Sequence, residues 1–447
     1  MTAVDYQTAV KLLDKSIGES VSARFPGRLD RMRSLLERLG NPERSFRSIH
    51  VGGSAGKGST ATMIAAILGA TGRRVGLHTK PHLHSVTERA RINGSTISEE
   101  RFATIFEMLV PVIDDMRSCE WGAPSYFELL VALSFVYFAE EKVDAAVIEV
   151  GVGGALDGTN VITPLVSIIT NVGTDHRDVL GDTIEQIARD KAGIIKEGIP
   201  VVTAAEQPSV LEIIAEAARV HSAPLSILSR DVTVRSTVGD VAYAQTIDVQ
   251  TPLARYQLAL PLIGEFQAIN AATAILACEI VSNILPTTAA DIALALGNVS
   301  LPGRTEYYPS RPSLLFDVAH NVEKAAALRA AIERHFPGRR LVFVVAIAQE
   351  KDAAGMLEAW RQLPAHFIFT TFDVSHRRSR HSQTLVNAAE QAGLPSRAVD
   401  DPVEALAIAR RIAGANDLVV VTGSTFLVGT LRRWFLENSS VTRAANV

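Results

Sequence analysis

Val51-Gly-Gly-Ser-Ala-Gly-Lys-Gly-Ser-Thr60 separates an apolar, β-prone run at residues 48–51 from a helical pattern at 60–71. A glycine-rich turn between a buried strand and a helix aims backbone N–H groups and the positive helix end at one point, which suits an anion. Lys57 adds a positive charge, and Ser59 or Thr60 a hydroxyl that can reach a phosphate oxygen or a metal. The usual phosphate loop, GxxxxGK[ST], places the hydroxyl residue directly after the lysine. Here Gly58 intervenes, and Val51 stands where the first glycine is expected. The bare pattern fails, so a Gly/Ser-rich turn without a ligand is the plain alternative.

The same alternation runs outward from this turn. Strand candidates at 48–51, 74–78, 145–150, 166–170 and 200–203 are separated by helical patterns at 60–71, 99–117, 126–141, 183–195 and 210–221. Buried strands spaced by amphipathic helices predict a mostly parallel sheet covered on both faces. Residues 232–260 are polar, alternating and rich in Thr and Val, predicting a small antiparallel β appendage; helices follow at 266–285 and 289–296. Ser300-Leu-Pro-Gly-Arg-Thr-Glu306 reads as a linker. Beyond it the α/β rhythm restarts, with strands at 313–316, 340–345, 366–371 and 418–422 and helices at 322–335, 353–362 and 425–436. The prediction is a larger α/β domain over 1–302 and a smaller, doubly wound, Rossmann-like domain over 303–447.

Bulk properties narrow the function classes. A chain of 447 residues is long for one core, so two domains are expected. A net charge of −4 argues against a protein built to coat nucleic acid. Cys119 and Cys278 make neither a disulfide framework nor a zinc site and read as buried thiols in a reducing compartment. Residues 1–8 lack a basic stretch followed by an apolar core, so no signal peptide is expected, and apolar runs such as 129–139 are too short to span a bilayer. The expectation is a cytoplasmic protein with neither a nucleic-acid nor a membrane partner.

Gly53-Ser-Ala-Gly-Lys-Gly-Ser-Thr60 resembles the G-T-N-G-K-G-S loop of the folylpolyglutamate synthase/dihydrofolate synthase family, a branch of the Mur ligases. Further segments agree in the same order. Leu29-Asp-Arg-Met-Arg-Ser-Leu-Leu-Glu-Arg-Leu-Gly-Asn-Pro42 resembles the family's opening helix. Thr79-Lys-Pro-His-Leu83 and Glu88-Arg-Ala-Arg-Ile-Asn-Gly94 resemble T-S-P-H-L and E-R-I-R-V-N-G. Glu149-Val-Gly-Val-Gly-Gly-Ala-Leu-Asp-Gly-Thr-Asn160 resembles E-V-G-L-G-G-R-L-D-A-T-N, and Asp175-His176 with Ala188-Arg-Asp-Lys-Ala-Gly-Ile-Ile-Lys196 resembles D-H and A-x-E-K-A-G-I-I-K. Pro302-Gly-Arg304, Asp317-Val-Ala-His-Asn321 and Thr422-Gly-Ser424 resemble P-G-R, D-G-A-H-N and T-G-S. The resemblance covers nearly the whole chain.

It implies a Mur-ligase-like fold and an ATP-dependent amide ligase. In this family ATP phosphorylates a carboxylic acid, dihydropteroate or a folate, and the amine of L-glutamate attacks the acyl phosphate, releasing ADP and phosphate. The resemblance assigns ATP to Gly53, Ser54, Ala55, Gly56, Lys57, Gly58, Ser59 and Thr60, with Asn270, Arg304, Asp317 and His320. It assigns magnesium to Ser59, Glu149, His176 and a carbamylated Lys191, so that Lys57, Glu149, His176 and Lys191 carry the chemistry. The acid substrate falls to Lys80, His82 and the loop Gly154, Ala155, Leu156 and Asp157. A monomer is expected. Each residue has a plainer alternative: a strand-end acid for Glu149, a capping histidine for His176, a solvated or paired lysine for Lys191, and an N-cap turn for 317–321. The basic stretch Ser375-His-Arg-Arg-Ser-Arg-His381 reads as a solvated loop, with a carboxylate or phosphate clamp as the sharper alternative.

The chain departs from the family pattern at several positions. Lys80 stands where the family has a magnesium-binding serine, and an ammonium cannot ligate a metal. Ala155 replaces an arginine, Gly158 an alanine, Ser54-Ala55 the pair Thr-Asn, and Val318 and Val322 a glycine and a proline. These changes motivate a second reading, the same ATP chemistry on a different carboxylic acid. A nucleotide-binding switch without ligase activity is the third; Glu149, His176 and Lys191 together argue against it.

Overall fold

The computed structural model describes residues 4–17, 27–175, 177–239, 243–374 and 377–438. Eight strands form the first sheet: β1 (Arg47–Gly52), β2 (Val75–His78), β3 (Ala90–Ile92), β4 (Ser95–Thr96), β5 (Ala145–Glu149), β6 (Ser167–Ile169), β7 (Val201–Thr203) and β8 (Leu225–Ile227). Their order is β4-β3-β2-β5-β1-β6-β7-β8. From β2 to β8 every neighbour is parallel, while β3 and β4 pair antiparallel at one edge. β5 is buried at every position, as a strand covered on both faces must be.

Helices Tyr6–Lys15, Arg28–Arg38, Glu99–Met116 and Tyr126–Glu140 join Ala146 and Ile148 of β5 in one core. Helices Ile184–Ala192 and Pro208–Val220 join Ile169 and Val201 in another. Sequence sets several of these starts. Ser125 with Glu128 and Thr183 with Gln186 form capping boxes, each satisfying donors that the first helical turn leaves unpaired.

β9 (Thr233–Val238), β10 (Gln245–Gln250) and β11 (Arg255–Leu260) make a three-stranded sheet in sequence order. The third sheet uses β12 (Glu306–Tyr308), β13 (Ser313–Phe316), β14 (Leu341–Val345), β15 (Ala365–Phe369), β18 (Ser396–Ala398) and β19 (Leu418–Thr422), in the order β12-β13-β19-β14-β15-β18. β12 pairs antiparallel with β13, and the other pairs are parallel. A short ribbon, β16 (Asp373–Val374) with β17 (Arg377–Arg378), completes the strands.

One compact unit takes the chain through Arg235 together with Ile247–Leu258 and Ala268–Val299; the other takes Ser236–Thr246, Ala259–Gln267 and Ser300–Val447. The split is therefore not a single cut, because two short segments before residue 300 join the second unit.

Several elements differ from the pattern in the sequence. The helix after the phosphate loop starts at Lys57, not near 60, because Lys57, Gly58 and Ser59 form its first turn. Gly58 and Ser59 are poor helix formers and hide that turn. Helices Ser382–Gln391 and Pro402–Ile412 and strands β3, β4, β8, β12 and β18 are not picked out from the sequence; the strands are only two or three residues long, and Pro402–Ile412 is missed despite its apolar face. Cys278 is buried as expected, whereas Cys119 is only half-buried; both are free thiols. Among the described residues, no helix is long and apolar enough to cross a membrane.

Candidate active site

The loop between β1 and the helix Lys57–Ala70 is held by the end of β6. Gly53 has φ +133°, and a Cβ there would stand 2.0 Å from Thr170 Oγ1, so glycine is required at this position. Thr170 Oγ1 donates to Ala55 O at 2.6 Å, Ala55 N–H donates to Asn171 Oδ1 at 2.7 Å, and Ser54 Oγ accepts from Gly173 N–H at 2.8 Å. Gly56 caps the helix in a left-handed conformation at φ +80°. The Lys57 ammonium folds back and donates to Gly53 O at 2.8 Å and Ser54 O at 3.2 Å. Asn270 lies across the loop: a Cβ at Gly56 would meet its Oδ1 at 2.4 Å, and Thr60 Oγ1 donates to that oxygen at 3.5 Å. Gly53 through Thr60 and Asn270 are thus brought together.

Glu149 ends β5 beside this loop. Its carboxylate accepts the Lys80 backbone N–H at 3.0 Å, and a Cβ at Gly58 would sit 3.2 Å from its Oε2. The buried carboxylate therefore faces the first turn of the helix, where the Ser59 hydroxyl is also buried. A carboxylate and a hydroxyl are hard oxygen donors, and magnesium typically takes one or two such protein ligands alongside substrate phosphates. The donor set fits magnesium. Among the described residues no group of three or more His, Cys, Asp or Glu could hold a metal by itself. His176 lies outside the described residues.

Lys191 reaches the same point from the helix Ile184–Ala192. It is 3 % exposed and donates to Gly53 O at 3.0 Å, so two lysines share one loop carbonyl. Burial pulls its pKa down to about 8; Asp190 opposes the shift and the nearby Lys80 ammonium adds to it. His82 Nδ1 accepts from Arg89 Nε at 3.2 Å. Arg89 is buried, and its pKa is lowered by that burial against the opposing fields of Tyr126, Glu149 and Glu88. In sequence it stands only as part of the Glu88–Gly94 segment, which assigns it no role in the site.

The loop after Glu149 is tied internally. Asp157 is 1 % exposed; Oδ2 accepts Val152 N–H at 2.9 Å and Oδ1 accepts Thr159 N–H at 3.0 Å. Asp157 is thus a loop-closing carboxylate. Gly154 packs on the backbone of Lys191, where a Cβ would stand 2.8 Å from the Lys191 carbonyl. Ala155 N–H donates to Asp190 O at 2.8 Å, while Ala155 O accepts from Asn160 Nδ2 at 3.0 Å. Ala155 and Leu156 remain half-buried.

In the second unit, Asp317 follows β13. Its Oδ2 accepts Thr305 N–H and its Oδ1 accepts Ala319 N–H, both at 2.8 Å. Burial raises its pKa, opposed by those bonds and by the charges of Arg304 and Lys324. His320 Nδ1 lies 2.8 Å from Val318 O, and its Nε2 is 3.3 Å from Lys324 Nζ. Asn321 caps the helix Val322–His335 through Lys324 N–H at 2.9 Å, as a strand-to-helix turn predicts. Asp317 therefore organises the 303–305 turn that carries Arg304. In the basic stretch, residues 375 and 376 lie outside the described residues; Arg377 pairs with Glu350, and Arg380 donates to Lys351 O at 3.0 Å.

A family model described as the Mur ligase middle domain matches residues 51–278, and one described as the Mur ligase glutamate ligase domain matches residues 303–425. The dihydrofolate synthase/folylpolyglutamate synthase of Bacillus subtilis is 35% identical over 412 residues, covering 91% of this chain and 94% of its own. The chain belongs to the folylpolyglutamate synthase/dihydrofolate synthase family. Members are ADP-forming ligases, and this chain is one of them by family. Among solved structures, the folylpolyglutamate synthase of Mycobacterium tuberculosis complexed with ADP superposes with a TM-score of 0.89 at 31% identity, covering 98% of this chain and 99% of that one. E. coli FolC in complex with DHPP and ADP gives a TM-score of 0.84 at 26% identity, covering 96% and 98%. Against this family, Lys80 is the departure that reaches furthest into the site, since its backbone holds Glu149 and its charge acts on Lys191.

Proposed function

We propose that this chain joins L-glutamate to a dihydropteroate- or folate-type carboxylic acid, driven by ATP. A carboxylate oxygen of the acid attacks the terminal phosphorus and ADP leaves. The amine of glutamate then attacks the acyl carbon, phosphate departs, and the amine's proton is lost as the amide forms. The observation that carries this reading is Lys191: beside Lys57, Ser59 and Glu149, a set that any phosphate-loop nucleotide binder can use, a second and buried lysine reaches the same loop carbonyl, which plain nucleotide binding does not need.

Each role follows from charge and position. Two anions must approach each other, so the task is to neutralise their meeting point and hold it in line. The helix N-terminus and Lys57 attract the phosphates. Ser59 and Glu149, with His176, would hold magnesium, which would supply positive charge to offset the charge of the phosphates. Gly53 to Thr60 with Asn270 bind ATP; Arg304, Asp317 and His320, on the second unit, are ATP candidates by family resemblance, and Asp317 acts by shaping the turn that carries Arg304. Lys80, His82 and the 154–157 loop bind the acid. Lys191 is a candidate for carbamylation by carbon dioxide, supported by burial that favours its neutral, nucleophilic amine. Residues 1–302 carry the acid and most of the nucleotide contacts, and 303–447 the glutamate. ATP use and two free thiols support a cytoplasmic location, and the family resemblance supports a monomer.

Phosphate release from ATP tests this. Release that requires both L-glutamate and dihydropteroate or tetrahydrofolate supports it. Release only with a different acid replaces the substrate, and no release with any acid refutes the ligase reading.

A further inference from the structure

Beneath the loop assigned to the acid, a line of hydrogen bonds returns to the strand that enters the phosphate loop. Thr159 Oγ1 donates to Asp157 Oδ1 at 2.6 Å. A carboxylate accepts and does not donate, so the hydroxyl proton is committed to Asp157. The same oxygen lies 2.9 Å from His50 Nε2 and is left as the acceptor there. His50 is therefore the Nε2–H tautomer. It is 0 % exposed, and among the described residues its Nδ1 has no hydrogen-bond partner, so Thr159 is the one polar anchor of the ring among them.

The position of this link matters more than its strength. His50 is on β1, three residues before Gly53; Thr159 is two residues after Asp157, whose other oxygen holds Val152 N–H. The two active-site loops leave adjacent strands, β1 and β5, whose backbone pairing ends at Val51 and Glu149. Beyond that register, the His50–Thr159–Asp157 line is a side-chain tie from the phosphate-loop strand to the loop 151–158. His78 provides a contrast. It pairs with the same residue of β5, Ile148, but bonds to Ser134, whose hydroxyl donates into its own helix at Leu130 O. That histidine anchors a helix; His50 anchors a loop.

We propose that His50, acting through the Thr159 hydroxyl, is a positioning residue that sets the acid-binding loop relative to the phosphate loop and thereby the affinity for the carboxylic acid. The inference rests on the proposed ligase function. Burial pulls the His50 pKa down to about 3, which keeps the ring neutral and the tautomer assignment intact at working pH.

The test is steady-state phosphate release with acid and ATP varied separately, on Thr159→Val, Thr159→Ser, His50→Leu and His50→Gln, with ADP binding measured by calorimetry. Valine matches threonine in shape without the hydroxyl, and glutamine can present an N–H near the place of Nε2. Thr159→Val and His50→Leu are expected to raise KM for the acid about tenfold or more, with KM for ATP and ADP affinity within twofold of the parent. Thr159→Ser and His50→Gln should stay within threefold for the acid. An unchanged acid KM in Thr159→Val overturns the proposal, as does an equal rise for acid and ATP, which would mean general loosening. If His50→Leu does not fold, the Thr159 pair decides. A parent enzyme without glutamate-dependent phosphate release would instead defeat the ligase reading, and this inference with it.

Discussion

Gly53→Ala should cripple nucleotide use while leaving every charged side chain in place. Gly53 sits at φ +133°, and the added Cβ would stand 2.0 Å from Thr170 Oγ1, 3.1 Å from Thr170 N and 3.2 Å from Asn171 N. A non-glycine residue held in such a region costs about 1–3 kcal/mol before any clash. The overlap then forces the peptide to move, and the Gly53 carbonyl accepts from both Lys57 and Lys191. A charge-assisted hydrogen bond contributes about 1.5–3 kcal/mol. Taking about 2 kcal/mol for the backbone and about 2 kcal/mol for one lost lysine bond gives roughly 4 kcal/mol, close to a thousandfold in kcat/KM. Phosphate release and ADP calorimetry read this directly. Thr170→Ala removes the nearest obstructing atom, so the double variant should recover part of the loss, with backbone contacts at 3.1 and 3.2 Å limiting the rescue. Turnover of Gly53→Ala within fivefold of the parent, or a double variant that is simply additive, would refute the argument.

Three other changes probe separate parts of the molecule. Lys57→Ala should reduce phosphate release by roughly a thousandfold or more, since it removes the cation of the loop; near-normal turnover counts against the loop assignment. Lys80→Ser should lower the magnesium concentration needed for half-maximal rate several-fold, or raise the rate itself, because a hydroxyl replaces an ammonium on the residue whose backbone holds Glu149; an inactive variant would show that Lys80 has a catalytic role of its own. Glu306→Gln should destabilise the second unit at pH 7 by about 3–5 kcal/mol, since it leaves Arg432 with half of a buried ion pair. Burial pushes the Glu306 carboxyl up, but Arg432, Gly303 N–H and Tyr308 O–H outweigh it, and the net shift is downward from 4.5. The ion pair's stability is therefore present above pH 4.5 and lost as pH falls through the lower folded value. Denaturant unfolding should show the parent–variant gap closing with acidification; a gap constant from pH 7 to pH 3 would contradict this.

How much was legible in the sequence depended on whether a signal was local. Strands Ser313–Phe316 and Leu418–Thr422 and the helix Val322–His335 coincide with their apolar patterns, because a buried parallel strand and an amphipathic helix each announce themselves within a few residues. The Lys57 turn was visible but mis-bounded, since the flexible glycine and serine that suit phosphate contact are the residues that argue against a helix. Arg89 and Thr159 lie inside family motifs but carried no role of their own, and Thr170 carried no site signal at all. Arg89 acts on His82 seven positions away, Thr159 on His50 at a separation of 109, and Thr170 on Ala55 at a separation of 115.

Asp157 shows the limit most clearly. Its motif position marks it as a substrate residue, yet it is 1 % exposed and both of its oxygens are engaged by Val152 and Thr159, so the role the geometry gives it is to shape the loop. The same holds for Asp317, whose two oxygens hold Thr305 and Ala319 N–H. In both places an aspartate is needed because a carboxylate accepts several N–H bonds at once where a turn would otherwise leave them unpaired. Such residues carry a functional motif's signature while contributing geometry. Substituting either by asparagine should therefore disturb substrate affinity more than the chemical step, as repositioning a loop does and removing a reacting group does not.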